Sequence, residues 1–167
     1  MISTILVENA ALVRILFWAA VAVSAILGWV LFRSGKAGAL AVLAVVGLLG
    51  VLALTVSPSD GVRYAFCTVQ FSVPFQGIDT LANIAMMVPL TLFAALRLRR
   101  PLLVFAAVSG LSAIIELVQA LIPALGRSCD TNDWFMNAVG AAVGTLIALT
   151  VIVVDGRYRR QSITTSN

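Results

Sequence analysis

The sequence contains no histidine among its 167 residues. This absence excludes Ser-His-Asp and Cys-His catalysis and any metal site built on imidazole ligands. No Cys-x-x-Cys pair, phosphate-binding loop or Gly-x-Gly-x-x-Gly turn occurs either. The chain therefore lacks the common signatures of redox, nucleotide-binding and zinc-dependent enzymes.

Charged residues are also scarce. They make up 11% of the chain, against about 25% in a typical soluble domain, whereas 61% of the residues are hydrophobic and the mean hydropathy is +1.07. This composition indicates an integral membrane protein. The net charge of +4 is read as a mark of membrane orientation, so no nucleic-acid partner is expected.

Five apolar stretches approach the roughly 20 residues that a membrane-spanning helix needs. They run over about Leu12–Phe32, Gly38–Val56, Thr80–Leu96, Pro101–Ile122 and Trp134–Val154. We expect an all-α integral membrane protein, a bundle of about five transmembrane helices. Residues 1–160 form one domain, in which the first stretch is an uncleaved span, and residues 161–167 form a disordered polar tail.

Basic residues predict the orientation of this bundle. Eight of them follow the first, third and fifth spans: Arg33, Lys36, Arg97, Arg99, Arg100, Arg157, Arg159 and Arg160. Only Arg14, Arg63 and Arg127 lie near the opposite ends of the spans. Because basic residues concentrate on the cytoplasmic side, the N-terminus is predicted outside and the C-terminus inside.

The two cysteines, Cys67 and Cys129, lie in the two connections that this orientation places outside. A disulfide persists in such an oxidising compartment. We therefore predict a Cys67–Cys129 bond that joins the two connections, with two unrelated free thiols as the alternative.

Polar side chains interrupt three of the apolar spans near one level of the bundle. Ionisable groups are costly in such surroundings and often functional. Ser112, Glu116 and Gln119 share one helical face, and the pairs Asp79/Asn83 and Asp133/Asn137 repeat the four-residue spacing. With two charged loop residues, these side chains form a candidate polar site: Asp79, Asn83, Glu116, Gln119, Arg127, Asp130, Asp133 and Asn137.

Glu116 lies too deep in its span to cap a helix. One interpretation is a buried carboxylate that pairs with Arg127, or with Asn83 or Asn137, and fixes helix register. The other is a general acid or base, or a group that binds a cation or a headgroup.

The aspartates of the site have their own alternatives. Asp79 and Asp133 each suit the N-terminus of a helix, where a carboxylate caps free N–H groups. Asp79, Glu116, Asp130 and Asp133 could together hold a divalent cation, although no cofactor is predicted outright.

Gly140 and Gly144 give the last span a face of small residues, which is typical of close helix packing. The sequence leaves open whether this face packs within the monomer or in a homodimer.

Three ordered motifs resemble the VanZ-like family of bacterial membrane proteins, over residues 79–144. They read Asp79-x-x-x-Asn83-Ile84 with Pro89 downstream, Ser112-x-x-x-Glu116-x-x-Gln119, and Arg127-x-x-Asp130-x-x-Asp133-x-x-x-Asn137-x-x-Gly140-x-x-x-Gly144.

The resemblance implies a multi-pass protein of the bacterial cell membrane. The member after which the family is named confers low-level resistance to teicoplanin. We therefore expect a cell-envelope protein that binds or shields an outer-leaflet lipid or lipid-linked wall precursor. The alternative is a membrane-embedded enzyme acting on a lipid-linked phosphate or sugar intermediate through the outward acidic site. Transport, and a purely structural role for the polar cluster, are two further hypotheses.

Overall fold

A computed structural model describes residues 9–58 and 67–164 of the chain. It contains five α-helices, which we label α1 to α5, and a single 3₁₀ turn at Pro123–Leu125. Their bounds are Ala10–Arg33 for α1, Ala37–Val56 for α2, Ile78–Leu98 for α3, Pro101–Leu121 for α4 and Thr131–Thr164 for α5. No β-strand occurs in the described residues, where the one β-type pairing is an isolated bridge.

All five helices are long and apolar enough to cross a membrane. The five-span prediction is therefore confirmed, with most ends displaced by one to three residues. Helix α5 runs on to Thr164, past position 161 at which the sequence placed the start of the tail. Residues 165–167 lie outside the described residues.

Helix α3 is the centre of the bundle. In its most apolar window 56% of the residues are buried, against 17% in α1 and in α2. It packs against all four other helices, and Ile84, Met87 and Leu92 are fully enclosed. Pro89 lies inside α3 without ending it. The apolar outer faces of α1 and α2 remain exposed, as expected for surfaces that meet lipid tails.

Gly140 and Gly144 let α3 and α5 approach each other closely. A methyl group at Gly140 would overlap the backbone carbonyl oxygen of Ile84, and one at Gly144 would lie 2.7 Å from that of Val88. The predicted packing role is confirmed, and the partner is α3 of the same chain. A homodimer stays a prediction, and it would have to use another surface.

Candidate functional site

The segment 67–77, which we call the strap, lies over one end of the bundle and is fixed to the start of α5. Its first residue forms a disulfide with Cys129, with 4.6 Å between the Cα atoms, which confirms the predicted bond. Next to it, the Thr68 N–H donates to the Cys129 carbonyl at 2.9 Å. The Thr131 N–H donates back to the Thr68 carbonyl at 3.0 Å.

Side chains at the start of α5 hold the strap further along. Thr131 Oγ1 accepts the N–H of Gln70 at 3.0 Å, and Asn132 Oδ1 accepts the N–H of Ser72 at 2.8 Å. Gln70 Nε2 donates to Asp130 Oδ2 at 2.6 Å. Thr131 and Asn132 were missed by the sequence analysis, because polar residues at the start of a helix indicate capping and give no sign of a second segment.

The far end of the strap rests on α1. Phe75 stacks on Trp18 with 5.7 Å between ring centroids, and its edge faces Phe17 at 6.1 Å. Phe75 adopts a left-handed backbone with φ of 68°, an uncommon conformation for an aromatic residue. The strap is thus held at both ends.

The helix caps differ from those considered in the sequence. Asp130 precedes α5 and caps it, since its Oδ1 accepts the N–H of Asn132 at 2.8 Å. At α3, Thr80 Oγ1 accepts the N–H of Gly77 at 3.1 Å. Asp79 and Asp133 lie inside the first turns, so both are at helix N-termini as predicted, although neither is the N-cap residue. Their carboxylates still face the positive ends of the helix dipoles.

A polar cleft of about 560 Å³ opens between the strap and the first turns of α3 and α5; we call it the strap cleft. Its described lining includes three carboxylates and four amides, and no basic residue. These are Asp79, Asp130, Asp133, Gln70, Gln76, Asn83 and Asn132.

A second cavity of about 180 Å³, the inner cavity, adjoins the strap cleft. Asn83 and Asp133 line both spaces, and Asn83 Nδ2 donates to Asp133 Oδ1 at 2.6 Å. This pair therefore separates the two compartments. The polar lining of the inner cavity is Thr55, Asn83, Glu116, Gln119, Arg127, Asp133 and Asn137.

Glu116 is buried, with 7% of its surface exposed, and its partner is a backbone group. Its Oε2 accepts the N–H of Asp130 at 2.9 Å. Arg127 is used elsewhere, because its Nε donates to the Ser57 carbonyl at the end of α2 at 2.9 Å. The predicted partners of Glu116, namely Arg127 or the amides Asn83 and Asn137, are thus replaced by the backbone of Asp130, so that Glu116 connects α4 to the start of α5.

Two further amides connect helices beneath the cleft. Gln119 Nε2 donates to the Thr55 carbonyl of α2 at 2.9 Å, and Asn137 Nδ2 donates to Ser112 Oγ of α4 at 2.9 Å. The Oδ1 atom of Asn137 is buried and has no hydrogen-bond partner among the described residues.

The family model of VanZ/LLP1 matches residues 41–153, more than half of the chain. The chain belongs to the VanZ/LLP1 family. The match extends from α2 into α5 and so includes every residue that lines the strap cleft and the inner cavity. Comparisons with curated proteins and with solved structures found no match.

The structure of this VanZ/LLP1 chain divides the residues predicted from sequence into two groups. Four line the strap cleft, namely Asp79, Asn83, Asp130 and Asp133, and six line the inner cavity, namely Asn83, Glu116, Gln119, Arg127, Asp133 and Asn137. In the described part of the chain, no three cysteine, aspartate or glutamate side chains are grouped to hold a metal. A divalent cation therefore stays a prediction without a carboxylate cluster to support it.

Proposed function

We propose that this VanZ/LLP1-family protein binds the polar headgroup of a lipid or lipid-linked wall precursor in the outer leaflet of the bacterial cell membrane, and so lowers susceptibility to teicoplanin. The observation that carries the proposal is the strap cleft. It is a polar space at the end of an otherwise apolar bundle, with carboxylate and amide groups on its walls. Such groups suit hydroxyl and ammonium groups of a headgroup.

The proposal places the strap outside the cell, with the N-terminus outside and the C-terminus inside. The disulfide at the strap end suits an oxidising compartment. The connections at the opposite end carry Arg33, Lys36, Arg97, Arg99 and Arg100, which suits the cytoplasmic side. A fusion of green fluorescent protein to the C-terminus should fluoresce, whereas alkaline phosphatase fused there should be inactive. The reverse result would refute this orientation.

A second candidate function is catalysis on a lipid-linked phosphate or sugar intermediate. The observation that favours it is the presence of Glu116, Asp133 and Arg127 around one cavity. The two carboxylates could act as general acid and base, and a guanidinium suits a phosphate. Conversion of a lipid-linked substrate by the purified protein, lost in Glu116→Gln, would favour this candidate over binding alone.

Teicoplanin susceptibility tests the binding proposal in a susceptible bacterium that expresses the chain. Asp79→Arg reverses an exposed charge in the strap cleft, and should restore susceptibility because it disfavours a ligand that donates hydrogen bonds. Lys36→Glu is the matched control, since it reverses an exposed charge at the other end of the bundle. Equal protection by the wild type and Asp79→Arg, at equal membrane levels, would contradict the proposal.

A further inference from the structure

Each amide that lines the inner cavity donates one of its two N–H groups to the protein itself. Asn83 donates to the Asp133 carboxylate at 2.6 Å, Gln119 to the Thr55 carbonyl at 2.9 Å and Asn137 to Ser112 Oγ at 2.9 Å. Each amide has one carbonyl oxygen as well. Each NH₂ group also keeps a second N–H, and of the three oxygens it is Asn137 Oδ1 that is buried without a partner among the described residues.

Two of these orientations follow from the partners. A carboxylate and a backbone carbonyl only accept hydrogen bonds, so an amide facing either must present its NH₂ group. This fixes Asn83 against Asp133, and Gln119 against Thr55. At Asn137 the partner is the Ser112 hydroxyl, a group that can donate or accept, and in this structure it accepts.

The carbonyl oxygen of Asn137 is an acceptor that no described residue satisfies. Only 2% of the surface of Asn137 is exposed, and the residue lines the inner cavity. Buried acceptors are nearly always hydrogen-bonded. A ligand in the inner cavity that donates a hydrogen bond to Asn137 would satisfy this oxygen.

Charge narrows the chemistry of that ligand. The carboxylates of Glu116 and Asp133 add acceptors with negative charge, and Arg127 is the one basic residue among the described lining residues. The apolar residues of the described lining are aliphatic, namely Leu54, Ala82 and Met86. Quaternary ammonium groups are recognised by aromatic cages, and these described residues include no aromatic side chain to form one.

We propose that the inner cavity binds a primary ammonium group with an anionic neighbour, whose anion faces Arg127. The three N–H donors of the ammonium would meet Asn137 Oδ1 and the two carboxylates. The cavity of about 180 Å³ greatly exceeds the roughly 10–15 Å³ that one water requires. This inference rests on the proposed headgroup binding and specifies its chemical class. An ethanolamine-phosphate headgroup and a free amino acid both carry the combination.

The test compares two short-chain lipids that differ only in methylation of the nitrogen. The full-length protein in detergent is titrated with phosphatidylethanolamine and phosphatidylcholine of identical acyl chains, and binding is followed by calorimetry. We expect the ethanolamine lipid to bind about tenfold more tightly, as expected for hydrogen bonds to charged groups. Glycine tests the amino-acid source separately, and calcium chloride alone tests a metal ion.

Substitutions at Asn137 test whether the preference for the ethanolamine lipid arises from the inner cavity. Asn137→Leu removes the unpaired oxygen and should abolish the preference for ethanolamine. Asn137→Asp adds a carboxylate of the same size and should increase the preference, which keeps the test open if the leucine variant does not fold. Thr145→Val is the control, because Thr145 also carries a buried oxygen without a partner in the described residues but lies outside both compartments.

Each outcome decides something. Equal binding of both lipids, unchanged by Asn137→Leu and Asn137→Asp, would overturn the ammonium site and leave headgroup binding intact. Binding of neither lipid nor glycine would overturn both. Glycine binding that depends on Asn137, without lipid binding, would support the ammonium site and contradict the lipid headgroup. Calcium binding that depends on Asn137, without any ethanolamine preference, would assign the cavity to a metal and overturn the inference.

Discussion

The contact between α3 and α5 provides the sharpest stability prediction, through Gly140→Ala. The added methyl group would overlap the carbonyl oxygen of Ile84 and lie 3.0 Å from Met87 Cβ. A backbone carbonyl inside a helix cannot rotate away as a side chain can. The two helices must therefore move apart along their shared face.

The magnitude follows from a matched substitution. Gly110 lies in α4, and a methyl group there meets no atom within 4 Å. Both alanine variants share the helix-propensity gain of about 0.5–1 kcal/mol over glycine, so their difference isolates the overpacking. Overpacking by one methyl group costs about 1–3 kcal/mol. Because α3 packs against all four other helices, it cannot move away from α5 without disturbing those contacts.

Thermal unfolding in detergent, followed by the helical circular dichroism signal, measures the difference. Gly140→Ala should melt below wild type, and Gly110→Ala at or above it. For soluble domains of this size, 1 kcal/mol corresponds to about 2–4 °C in Tm. Equal melting temperatures for the two variants would refute the close-packing argument, since both proteins carry the same chemical change.

Three further perturbations address the site end of the bundle. The double substitution Cys67→Ser with Cys129→Ser opens a loop of 62 residues. The loss in unfolding free energy should stay below the random-chain value of about 4 kcal/mol, because the helices within the loop remain formed in detergent when the tertiary structure is lost. A reductant should cause the same loss in the wild type and none in the double variant. Glu116→Gln should change the free energy of unfolding by less than about 1 kcal/mol, because the amide oxygen can still accept the Asp130 N–H. Glu116→Leu leaves that N–H unpaired and should cost about 1–3 kcal/mol. Equal losses in the two variants would contradict a stabilising role for this hydrogen bond. Asn132→Ala removes an acceptor for the strap and should speed its cleavage by added protease, and an unchanged rate would show that this side chain does not hold the strap.

The positions of the helices and the convergence of the polar residues could be predicted from the sequence. Hydropathy alone locates five spans, because each helix carries an apolar run of the required length. The spacing of Glu116 and Gln119 correctly places both on one face of α4. The cysteine pairing also followed, since the chain has two cysteines in all and both were placed on one side.

The hydrogen-bond partners could not be predicted in the same way. Glu116 bonds to the backbone of Asp130, and Gln119 to the backbone of Thr55. Any residue type offers these backbone groups, so no sequence pattern indicates them. The division of the polar residues into a cleft and an inner cavity also depends on tertiary packing, because residues of α2 and of α4 line the inner cavity together.

A few residues at the start of α5 form a helix cap and several contacts with other segments, and this limits insertions and deletions there in the family. Asp130 caps the helix, its N–H binds Glu116, and its neighbours Cys129 and Thr131 bond to the strap. Surface loops ordinarily tolerate insertions and deletions. One residue inserted between Cys129 and Asp133 would shift the cap, the disulfide and the Asn83 contact out of register together. Homologous chains should therefore keep the length of this connection even where its amino acids change.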